Sequence, residues 1–67
     1  MEVLNVAWTT TMDGCIGIIK AKNVMTDEIL VYIGIGEGKS EEADVAHILA
    51  YGDKMSLEVF LKSMLGI

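Results

Sequence analysis

Ile29-Leu30-Val31-Tyr32-Ile33-Gly34-Ile35-Gly36-Glu37-Gly38-Lys39-Ser40-Glu41-Glu42-Ala43-Asp44-Val45-Ala46-His47-Ile48-Leu49-Ala50-Tyr51 is the stretch that decides the fold class. It opens as the most apolar, β-branched run of the chain, passes glycines at alternate positions, and turns at a serine into the longest helical pattern. Residues 28–35 read as a strand that is apolar on both faces and therefore buried on both. Ser40 stands where an N-cap belongs, and Glu41, Glu42 and Asp44 suit the positive end of a helix dipole. The helix is predicted to reach Tyr51, with Ala43, Ala46, Leu49 and Ala50 as its core stripe and Gly52 as its C-cap.

Working back from that stretch, Val3 to Met12 alternates as a half-buried strand does, with Leu4, Val6 and Trp8 on one face. Asp13-Gly14 follows, a strong hairpin signal because both residues tolerate the positive φ of a type I′ turn. A second strand runs from Cys15 to Lys22, where Gly17 predicts a bulge or the close approach of another backbone. Asn23 to Glu28 is a connection, with Met25 as its expected apolar anchor. Working forward, Ser56 caps a second helix that carries Phe60, Leu61, Met64 and Leu65 and stops at Gly66. The fold class is therefore α+β. A three-stranded antiparallel β-meander precedes two α-helices packed on one face (βββαα), in one domain spanning residues 1–67.

A chain of 67 residues buries little on its own, and domains this small usually lean on disulfides, a metal or a partner. One cysteine makes no internal disulfide, and one histidine with one cysteine is a poor zinc set, so no metal is assigned. A homodimer or higher oligomer is what remains, completing the sheet and hiding its edges. The net charge of −5 and five scattered lysines argue against nucleic acid, which demands clustered cations. Disorder does not fit a chain that is 52% hydrophobic. Met1-Glu2 is no secretory leader and the longest apolar run, Ile29–Ile35, is too short to span a bilayer, so a cytoplasmic protein with no membrane partner is expected.

The strand–glycine-loop–helix order brings backbone N–H groups together at a helix N-terminus, where anions bind. Gly38-Lys39-Ser40 ends as a phosphate loop does, but the P-loop requires glycine five residues before Gly38, and Ile33 stands there. No nucleotide hydrolase is assigned. The expected site is a small, possibly anionic ligand held by Gly34, Gly36, Gly38, Lys39 and Ser40, with Trp8 or Tyr32 as a pocket floor. The competing reading is that these glycines only shape a turn and that Ser40 serves its own helix.

Three functions follow in order of expectation. The first is a non-enzymatic, homo-oligomeric binding module with no cofactor, using that loop. The second is an acidic protein-interaction module, such as a small inhibitor or accessory subunit, working through Glu41 and Glu42 or a methionine-rich surface. The third is a small enzyme built on Cys15 and His47 with Asp13, Asp44 or Asp53, for which no local signature speaks.

Overall fold

The computed structural model describes residues 1–66 and orders them as β1 (Glu2–Thr11), β2 (Gly14–Lys22), β3 (Ile29–Gly36), α1 (Glu41–Tyr51), β4 (Asp53–Ser56) and α2 (Leu57–Leu65). The strands form one antiparallel sheet in the order β1-β2-β3-β4. The α+β class and the meander of the first three strands follow the sequence patterns. The count of three strands does not: β4 adds a fourth, pairing Leu30 with Ser56 through to Ile33 with Asp53. Nothing in Asp53-Lys54-Met55-Ser56 alternates strongly, and its extended form is imposed by the open edge of β3.

Successive side chains of a strand point to opposite faces, so the register decides which residues meet. On one face the pairings of Ile19 with Tyr32 and Ala21 with Leu30 gather Ile19, Ala21 and Tyr32 beneath Ile48 of α1. Val6, Trp8, Leu30, Val45 and Leu49 flank this core. On the other face Ala7, Ile18, Lys20 and Val31 lie beside Leu57, Phe60 and Leu61 of α2. The two helices therefore sit on opposite faces of the sheet, which corrects the expectation of a single helical layer. The doubly apolar pattern of β3 has its cause here, because Tyr32 is buried under α1 while Val31 is buried on the α2 side.

Local signals set several boundaries. Ser40 is extended (φ −156°, ψ 159°) and its Oγ accepts from the Ala43 N–H at 3.1 Å. Ser56 does the same for the Val59 N–H at 3.2 Å, and Gly66 ends α2 in the left-handed region at φ 72°. The β1–β2 loop comprises Met12 and Asp13, since Thr11 pairs with Gly14. Neither loop residue has positive φ, so the turn is not type I′, and Gly14 instead takes φ 150°. β1 carries an irregularity between Val3 and Asn5, which leaves Leu4 out of step with Val6 and Trp8. Met25 anchors nothing: it is exposed in a turn held by the Asn23 side chain, whose Oδ1 accepts from the Met25 N–H at 3.0 Å. No helix among the described residues is long and apolar enough to cross a membrane.

The α1 stripe also differs from expectation. Ala43, Ala46 and Ala50 are exposed, Leu49 is half-buried, and the buried residues of the helix are Asp44 and Ile48. The reason lies in the sheet below. Gly17 and Gly34 are cross-strand partners on the α1 face, and together they leave a socket that Ile48 fills completely. A Cβ on Gly17 would lie 2.7 Å from Ile48 Cδ1 and 2.5 Å from a ring carbon of Trp8; one on Gly34 would lie 3.2 Å from Ile48 Cγ1. Gly52 continues the close docking, since a Cβ there would lie 2.7 Å from the Ile33 carbonyl oxygen. It ends α1 in an extended conformation, and what its lack of a side chain provides is space.

Candidate functional site

The loop from Gly34 to Ser40 leaves β3, crosses the top of the sheet and enters α1. Its backbone N–H groups do converge on an anion, and that anion is internal. Asp44 sends Oδ1 to the Glu37 N–H and Oδ2 to the Gly38 N–H, each at 3.1 Å. The residue is only 6% exposed, and a carboxylate accepting two backbone N–H bonds is one of the stronger arrangements available to a chain. Gly36 makes the fit possible: a Cβ there would lie 3.1 Å from Asp44 Oδ2 and 3.0 Å from Cys15 Sγ. Gly38, at φ 79°, completes the turn in a conformation that L side chains resist.

Asp44 and Ile48 are one helical turn apart, and Gly36 and Gly34 are one strand repeat apart, so the two spacings match. Ile48 fills the space over Gly34, and the Asp44 carboxylate lies over Gly36. Gly34 and Gly36 thus give α1 the room to dock. From the sequence Asp44 suits the helix dipole and is one of three acids that could serve Cys15 and His47; the clamp on the loop is a further role. The signal available was an acid in the first turn of a helix that follows a Gly-x-Gly loop.

The remaining expected donors are also engaged. Lys39 Nζ lies 3.0 Å from Glu37 Oε2, and Ser40 Oγ is used by its own helix. The Lys39 ammonium beside it holds the Glu37 carboxyl below the usual carboxylate range, and Glu37 in turn holds Lys39 above the usual lysine range. Glu37 also reaches His47, Oε1 to Nδ1 at 3.8 Å, and the His47 ring tilts over Tyr51 with centroids 5.0 Å apart. Trp8 and Tyr32 share the α1 face, but Tyr32 is 4% exposed within the core and Trp8 lies over Gly17, so neither floors an open pocket.

Cys15 is half-buried, with Sγ 3.9 Å from the Gly36 carbonyl oxygen. His47 contacts Glu37 and Tyr51 on the exposed side of α1, and no contact joins it to Cys15 among the described residues. No group of three His, Cys, Asp or Glu side chains among the described residues is placed to hold a metal ion. An open hollow of about 710 Å³ lies between the β1–β2 hairpin and the loop, lined in part by Thr10, Met12, Cys15, Gly36 and Gly38. Asp13 and Glu37 also line it, the latter paired with Lys39. Comparison with known proteins finds no matching family model, curated protein or solved structure.

Proposed function

We propose that this chain is a small, non-enzymatic interaction module that works as a homo-oligomer. The observation that carries the reading is its surface. The chain exposes 4823 Å², where a compact monomer of 7.3 kDa exposes about 4,200 Å². Its radius of gyration is 12.0 Å, against about 11 Å for a compact chain of this length. Val3, Leu4, Ile35, Val59, Leu61, Met64 and Leu65 all contribute apolar exposed surface. A domain this small, with five buried apolar residues among those described, gains from covering that surface with protein. The single thiol suits a reducing compartment such as the cytoplasm.

The test is sedimentation equilibrium together with native mass spectrometry of protein purified gently from its expression host. A defined oligomer with no retained small molecule is the expected result. A monomer at all micromolar concentrations overturns the proposal.

A second reading keeps the small ligand but moves it and changes its sign. The hollow beside the loop is open, and with the Glu37 carboxyl paired to Lys39 the remaining acid of its lining, Asp13, favours a neutral or cationic molecule over the expected anion. A retained mass of a few hundred daltons at fixed stoichiometry would select this reading, and Thr10→Trp, which projects bulk into the hollow, would weaken that retention.

A further inference from the structure

The two edges of the sheet are treated differently. β4 is four residues long, carries Asp53 and Lys54, runs straight into α2 and is separated from α1 by Gly52 alone. Short length, charge and cover are the devices that keep an edge from pairing with another chain. β1 has none of these along most of its length. It runs for ten residues, its one charge is Glu2 at the start, and it contains neither lysine nor proline. It pairs only with β2, so alternate residues of β1 turn their N–H and C=O groups to an empty side.

Resting on the oligomer proposed above, we infer that the partner is a second copy of this chain, added antiparallel along β1 to make one continuous eight-stranded sheet. The irregularity between Val3 and Asn5 leaves Asn5–Thr11 as the regular part of the edge. An antiparallel pair related by a two-fold axis keeps each face continuous only when the axis passes midway between a residue and its own counterpart, because paired residues must share a face. The midpoint of Asn5–Thr11 is Trp8. The register then places Trp8 beside its own counterpart, Val6 opposite the partner subunit's Thr10, and Ala7 opposite the partner subunit's Thr9. Val6 and Trp8 lie half-buried on the flank of the core, and the second copy extends that core across the junction. Asn5, Ala7, Thr9 and Thr10 are exposed along this edge, and pairing there covers part of the surface by which the chain's 4823 Å² exceeds the about 4,200 Å² of a compact monomer.

Ala7 and Thr9 are both exposed on the other face, which permits a test of register as well as of edge. The double variant Ala7→Lys/Thr9→Lys sets two like-charged pairs across the junction and weakens association by roughly a hundredfold. The variant Ala7→Lys/Thr9→Glu sets opposite charges at the same places and restores the dimer. Sedimentation velocity reads both, with a cooperative thermal melt showing that each variant is folded. In the wild-type protein, amide exchange protects consecutive residues across Asn5–Thr11, where a free edge protects only alternate ones.

A wild-type dimer with alternate-residue protection, or one that the lysine pair leaves intact, overturns the edge pairing while the oligomer stands. Dissociation by both double variants overturns the Trp8-centred register. A monomeric wild type removes this inference and the proposed function together.

Discussion

The Asp44 carboxylate offers the sharpest test of how α1 is held. Replacing it by asparagine keeps the shape of the side chain but alters what each end presents. The carbonyl oxygen still accepts one N–H, while the amide nitrogen turns a donor toward the other. One charge-assisted bond, worth about 1.5–3 kcal/mol, is lost outright, and the second becomes a neutral one. The Glu37 and Gly38 N–H groups are partly buried, so water compensates only in part. The expected cost of Asp44→Asn is about 2–3 kcal/mol, which for a domain of this size lowers the melting temperature by roughly 10–20 °C. Asp44→Ala leaves both N–H groups without their acceptor and is expected to cost about 3–5 kcal/mol, enough to unfold much of a small domain. The assay is thermal and urea unfolding followed by far-UV circular dichroism at neutral pH and one fixed protein concentration, because association shifts apparent stability. A fall of less than about 4 °C for Asp44→Asn would refute the reasoning, since it would mean less than about 1 kcal/mol resides in the clamp.

Other expectations follow from the same contacts. Gly17→Ala drives a methyl into Trp8 and Ile48 and is expected to cost about 2–3 kcal/mol with a shift in tryptophan emission, while Gly34→Ala, whose methyl would lie 3.2 Å from Ile48 and needs a smaller displacement, costs less; urea titrations of the two rank them. Ser40→Ala and Ser56→Ala each remove a cap and are expected to cost about 1 kcal/mol by the same measurement. The Glu37–Lys39 pair is exposed and is expected to show in titration rather than in stability. Glu37 is depressed, so the pair is fully formed above the ordinary glutamate range and is lost as pH falls through the lowered value. Side-chain NMR is expected to place the Glu37 midpoint below the ordinary glutamate value, and Lys39→Ala to move it upward.

Features fixed by neighbouring residues were legible in the sequence. Ser40 and Ser56 act within three residues of themselves, and Gly66 needs only its own φ, so each can be read without knowing the rest of the chain. The hairpin between β1 and β2 was visible for the same reason, but its turn type was not, because the register fixed by the flanking strands moved the loop to Met12 and Asp13. β4 was hidden because its strand character comes from β3. The packed face of α1 was misplaced because a hydrophobic pattern never puts a carboxylate in the core. Asp44 is buried only because two backbone N–H groups, supplied by a loop six and seven residues earlier, meet it there. The expected ligand loop drew on the same physics: its donors gather for an anion, and the chain supplies one itself.

The order β1-β2-β3-β4 follows the order of synthesis, so no strand has to wait for a distant segment to find its neighbour. Such local connectivity favours fast assembly. It also means the sheet can be dismantled from one end. Four residue pairs join β4 to β3, and α2 follows directly behind. A transient opening of this terminal piece would uncover Val31 and leave β1, β2, β3 and α1 in place, a cooperative unit of lower stability than the rest. The chain is in this sense built from a resistant part that holds Ile48 and a detachable flap that covers the opposite face.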